Sequence, residues 1–198
     1  MKLFEKKSRS AGVPLSLAGI TVFLGIQTAE SNFLGNYSTR ENYISDLGDN
    51  SDSALIFNST MFIAGILIVL SARRLRKAGH SRWLTIPLTL YGLGTLGVGL
   101  FPSKSIPNAH AFSAGLLFIT GPVCAFTSRK YLRGPMQHVV VGLGILATIS
   151  VSNFTIASNI TSEVNNLGGL ERWAVYPITM WMIVFGSYSA HKENSTAR

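Results

Sequence analysis

Ile63-Ala64-Gly65-Ile66-Leu67-Ile68-Val69-Leu70 runs for eight positions without a polar side chain. A strand with one wet face alternates apolar and polar residues, and a membrane-barrel strand repeats that alternation over about ten positions. This stretch does neither. It lies inside a window, 53–72, that holds no Asp, Glu, Lys or Arg and ends on Arg73-Arg74-Leu75-Arg76-Lys77. Twenty uncharged residues in a helix reach about 30 Å, the thickness of a bilayer's hydrocarbon core. In that medium backbone groups find no water, so a continuous apolar run satisfies them internally as helix.

The same reading extends in both directions. Charge is also missing from 10–29, 83–103, 105–128, 134–162 and 173–191, and the six windows together take up 133 of 198 residues. Only 13% of the chain is charged, against about 25% in an ordinary soluble domain. These windows predict an all-α, integral membrane bundle of six transmembrane helices, at about 11–29, 54–72, 83–101, 109–127, 138–157 and 173–190, in one membrane domain covering 1–198. They exclude a soluble enzyme domain and a disordered chain. A single Cys124 excludes an internal disulfide framework. The start carries Lys2, Lys6, Lys7 and Arg9, as a secretory leader would. However, its apolar run is longer than a leader's, and Gln27 occupies the −3 position of the plausible cleavage point after Ala29. The first helix is therefore expected to be retained.

Charge placement gives an orientation. Fourteen Lys and Arg fall in the tails and in the connections after helices two and four, and only Arg40, Lys104 and Arg172 fall on the other side. The acids sort the opposite way: Glu30, Glu41, Asp46, Asp49, Asp52, Glu163 and Glu171 share a side with those three cations, whereas Glu5 and Glu193 do not. Basic connections stay inside, so both termini are expected in the cytoplasm of a multi-pass protein of the cell membrane. The net charge of +8 then faces anionic headgroups and requires no nucleic acid as partner.

The outer side collects the chemistry. Asn42, Ser45 and Asp46 sit in Asn42-Tyr43-Ile44-Ser45-Asp46-Leu47-Gly48, Asn58 falls one turn into helix two, Lys104 and His110 flank the connection between helices three and four, and Glu171 with Arg172 opens helix six. Ionisable groups near lipid are expensive and mark functional sites. Asp46, His110 and Glu171 are the catalytic candidates, because an imidazole steered by a carboxylate moves protons. Asn42, Ser45, Asn58, Lys104 and Arg172 are ligand-binding candidates, the two cations as phosphate contacts. Equally, Asp46 and Ser45 suit a turn, Glu171 suits a helix start, and the cations suit interfacial anchors. No metal-ligand spacing of the His-Glu-x-x-His kind is present, and no metal or cofactor is expected.

Tyr43-Ile44-Ser45-Asp46-Leu47-Gly48, then Ile56-Phe57-Asn58, Phe101-Pro102 before His110, and Gly169-Leu170-Glu171-Arg172 before Tyr176-Pro177 resemble a prokaryotic family of six-helix membrane proteins common in archaea, the domain-of-unknown-function group nine-nine-eight. The resemblance covers about 12–190. More distantly, the pattern is similar to the damage-regulated autophagy modulators and the glycosylphosphatidylinositol-anchor remodelling factors, although here Arg172 separates Glu171 from Trp173. The resemblance implies lipid handling and marks Ser45, Asp46, His110 and Glu171 as the shared polar set.

Three functions follow as expectations. The first is binding or remodelling of lipid at the outer leaflet. The second is a non-catalytic subunit or scaffold, with a membrane-protein partner or a second copy of the chain. The third is a small transporter, for which helices two to four offer only scattered Ser and Thr as a polar path.

Overall fold

The computed structural model describes residues 2–106, 108–160 and 166–191. Within them the chain forms six helices, α1 (Lys2–Ser31), α2 (Ala54–Lys77), α3 (Arg82–Leu100), α4 (Ala109–Ser128), α5 (Met136–Ile160) and α6 (Leu167–His191), with short 3-10 turns at Ser45–Gly48 and Arg129–Tyr131. Each helix packs on its neighbours in chain order, and α6 returns to pack along α1. The result is a closed ring of six, with α4 also touching α6 across it. Of the sequence-expected charges, Glu163, Lys192, Glu193 and Arg198 lie outside the described residues.

Five helices are long and apolar enough to cross a membrane: Ala11–Ser31, Ala54–Lys77, Arg82–Leu100, Ala109–Tyr131 and Met136–Asn159. α6 has 25 residues, but Tyr176, Thr179, Ser187, Tyr188 and Ser189 dilute its apolar character. It still spans the depth of α1. Gly12 abuts Ala190 at one end, and Arg172 meets Glu30 at the other. The two contacts are eighteen helical steps apart along either helix, about 27 Å. The chain is a multi-pass membrane protein.

Close backbone approach holds the ring together. A Cβ on Gly186 would stand 2.6 Å from the Ser16 backbone nitrogen, and one on Gly65 would stand 2.6 Å from that of Leu96. Lipid tails are as apolar as leucine, so helices associate through such fits and through hydrogen bonds. The Ser71 hydroxyl donates to the Ala11 carbonyl at 2.6 Å, tying α2 to α1. Trp181 lies stacked on Phe185, with centroids 5.6 Å apart, and its indole N–H donates to Ser128 at 2.9 Å. Outward, Leu55, Ile119 and Ile149 are exposed, as a lipid-facing surface requires.

One end of the ring carries the 32–53 loop, the α3–α4 connection and the start of α6. The other carries the turns after α2 and α4, where Arg73, Arg74, Arg76, Lys77, Arg82, Arg129, Lys130 and Arg133 collect.

Candidate functional site

The 32–53 loop is built from its own polar residues. Asn42 Oδ1 accepts the Ser38 N–H at 2.9 Å, and Asp46 Oδ2 accepts the Tyr43 N–H at 2.9 Å. Short polar side chains that bind nearby backbone hold a loop in this way. The Oγ of Ser53, the last loop residue, donates to the Leu47 carbonyl at 2.8 Å. The loop is then fastened to the bundle at three points. Asn58 Nδ2 donates to the Gly48 carbonyl at 3.1 Å. Asp49 accepts the Ser103 hydroxyl and, at 3.2 Å, the Lys104 N–H. The Gly169 N–H donates to the Arg40 carbonyl at 3.0 Å. Gly168 lies so close to Asn42 that a Cβ there would stand 2.1 Å from the Asn42 carbonyl oxygen.

Arg172 commits its whole guanidinium to this junction. Nε and Nη2 donate to Glu30 Oε1 at 3.1 and 2.5 Å, Nη1 donates to the Asn42 and Gly168 carbonyls at 3.0 and 2.9 Å, and Nη2 also donates to the Tyr37 hydroxyl. An arginine has five N–H donors, and all five are used. The sequence places Arg172 as a phosphate contact; the structure places it in a buried staple joining α1, the loop and α6. Lys104 is exposed on its turn.

Glu171 points the other way. It is only 7% exposed, and its carboxylate accepts the Ile44 N–H. It stands in the second turn of α6, outside the apolar stretch 173–190. Burial pushes its carboxyl up to about 7, against the opposing pull of the Ile44 N–H and the Arg172 charge. The helix dipole expected to receive this charge gives way to that loop N–H, because α6 begins six residues earlier than the charge-free window suggests.

Glu171 shares one cavity with Ser45 and His110. Its volume is about 50 Å³, and a single water occupies roughly 10–15 Å³ on that measure. The remaining walls are largely apolar, among them Phe57, Met61, Val98, Leu117 and Val175, with Tyr91 and Thr95 from α3. His110 Nδ1 lies 2.8 Å from the Phe101 carbonyl. A carbonyl only accepts, so Nδ1 carries a hydrogen. Ser45, His110 and Glu171 thus meet at the cavity from the loop, α4 and α6, and Tyr91 and Thr95 add hydroxyl-bearing side chains from α3. Asp46 borders Glu171 electrostatically but turns its oxygen to its own loop; Asn42, Asn58, Lys104 and Arg172 do not line the space. At its side, Phe118 of the cavity wall packs on Phe154 of α5 with centroids 5.6 Å apart, and Phe154 meets Tyr43 edge-on at 6.0 Å. Sequence reading missed Glu30 and Tyr37 as partners of Arg172, and Phe154 beside the cavity; their roles depend on contacts across the ring that no local spacing encodes. Among the described residues, no group of three or more His, Cys, Asp or Glu is placed to hold a metal ion.

Comparison with curated proteins and with solved structures found no match. The family described as "Protein of unknown function (DUF998)" matches residues 16–188, most of the chain, and the chain belongs to that family.

Proposed function

We propose that this family member binds the small polar head of a lipid in the outer leaflet of the cell membrane, within the cavity of Ser45, His110 and Glu171. The observation that carries this reading is that Ser45, His110 and Glu171, from three separate segments, converge with Tyr91 and Thr95 on a small space whose other walls are apolar. A few convergent polar groups in a mainly apolar pocket are the usual form of a small-molecule site. The volume suits a head of a few atoms, with the acyl chains left in the bilayer beside Phe118 and Phe154. Arg172 is spent on Glu30, and Lys104 lies off the cavity, so the chemistry favours a hydroxyl or amine head over a bare phosphate. Asp46 supports the site by holding Ser45 in its turn. Any remodelling step would use Glu171 and His110 as the proton-handling pair.

A photoactivatable monoacylglycerol, with hydroxyls and no charge on its head, tests this reading on the purified full chain. Crosslinks are expected at cavity residues such as Leu117 and Val175. Glu171→Leu should weaken labelling about tenfold, the cost of one hydrogen bond to an ionisable group. Ala114→Leu, which fills the space, should abolish it. Labelling spread evenly over the lipid-facing surface, and unchanged in both variants, would overturn the reading.

A further inference from the structure

We propose a second lipid site of opposite chemistry at the other end of the bundle, where an anionic phospholipid headgroup binds a basic, aromatic-walled groove. The groove lies between the start of α3, the end of α4 and the start of α5, and is lined by Trp83, Phe126, Thr127, Arg129, Lys130 and Gln137. Its volume is about 510 Å³, against about 50 Å³ for the central cavity. It therefore admits a phosphate with its glycerol, which the central cavity does not.

Its charge is of one sign. Arg129 and Lys130 supply two cations, and neither 72–83 nor 125–139 contains an Asp or Glu. Both cations are exposed, unlike Arg172 at the opposite end. Lys130 Nζ lies 5.1 Å from the Tyr131 ring centroid, an arrangement that steadies the ammonium without neutralising it. Gln137 adds polarity; its amide N–H donates to the Leu132 carbonyl at 2.7 Å, which anchors the side chain at the groove. The apolar wall completes the match to an amphiphile. Trp83 is 69% exposed and Phe126 39% exposed; Phe126 lies about one turn before Arg129 along α4, and Trp83 opens α3 beside it in the groove. A phosphate between Arg129 and Lys130 would lay its acyl chains over those rings. Basic pockets between membrane helices, with an aromatic at headgroup depth, bind lipids in this way.

Tryptophan quenching by brominated lipids tests the site on the full chain in nanodiscs, with Trp173→Phe removing the other exposed indole. Dibrominated phosphatidylglycerol should quench at a several-fold lower mole fraction than dibrominated phosphatidylcholine, since each cation near an anionic surface favours binding roughly fivefold. The paired substitution Arg129→Gln and Lys130→Gln should equalise the two lipids, and Trp83→Phe should remove the quenched signal. Both changes are at exposed positions, and an unchanged melting temperature confirms that the fold persists. Equal quenching in the parent chain, or a preference that survives loss of both cations, would overturn the proposal. So would excess inorganic phosphate abolishing the preference for dibrominated phosphatidylglycerol, since the occupant would then be a free anion.

Discussion

Glu171 and Arg172 are adjacent in sequence and opposite in use. Arg172 is a buried cation with its partner in place, and removing one member of such a pair leaves the other charge stranded. Arg172→Ala should cost about 3–5 kcal/mol, read as a lower melting temperature in detergent. Arg172→Lys should recover only part of it, because an ammonium has three donors where five acceptor contacts wait. A fully stable Arg172→Ala chain would show that the staple is ornamental. For Glu171 burial favours the neutral acid and Asp46 adds repulsion, and together they outweigh the Ile44 N–H and the charge of Arg172, whose guanidinium is bound to Glu30. Its folded-state pKa, about 7, lies above the unfolded value of 4.5. The folded chain therefore binds the proton more tightly. The stability this confers is complete below about pH 4.5 and is lost as pH rises to about 7. Melting temperature should fall across that window, and Glu171→Gln should flatten the fall. Identical pH profiles for the two proteins would rule out this titration. Sequence placed both residues at the boundary, yet it held nothing to show that one faces a cavity and the other Glu30. That choice rests on loop atoms 127 and more residues away.

At the scale of single helices, the absence of charge located all six, and the structure differs mainly at their ends. α2 runs on to Lys77 and α6 begins at Leu167, because basic residues and even a Gly168-Gly169 pair continue a helix when packing demands it. Gly168 reads locally as loop, yet it sits in helix, and glycine is needed there because any side chain would strike Asn42. The same distinction separates glycines that contact a backbone from those that face lipid. Gly186→Ala would drive a methyl to within 2.6 Å of the α1 backbone at Ser16, and neither helix can yield without parting from the other. Overpacking of this kind costs about 1–3 kcal/mol. Gly142, on exposed α5, has nothing within 4 Å of its would-be Cβ, so Gly142→Ala should stay within about 0.5 kcal/mol of the parent. Thermal melts of the two variants compare them directly, and equal losses would mean that the α1–α6 contact is looser than its geometry.

Across the whole molecule, the two ends of the ring carry different chemistry, and this asymmetry should set how the chain sits in its membrane. The turns after α2 and α4 are basic without a compensating acid, whereas the loop end mixes Glu30, Glu41, Asp46, Asp49 and Asp52 with few cations. Translocating the basic end would drag eight Lys and Arg of those turns across the membrane, so it is expected to stay in the cytoplasm. The two proposed lipid sites divide the same way: in that orientation the cavity under the acidic loop would face the outer leaflet, and the groove at Arg129 and Lys130 the inner one. The single cysteine makes the orientation testable. Cys124 is fully buried, and Cys124→Ala leaves a chain into which one exposed thiol can be placed at a time. Ser51→Cys reports the loop end and His138→Cys the basic end, both at exposed positions. A membrane-impermeant maleimide added to intact cells should label position 51 at once. Position 138 should react only after the cells are opened. The reverse pattern would turn the bundle over and exchange the leaflets served by the two sites. Labelling of both positions in intact cells would mean a mixed orientation, and the charge asymmetry would then not govern insertion.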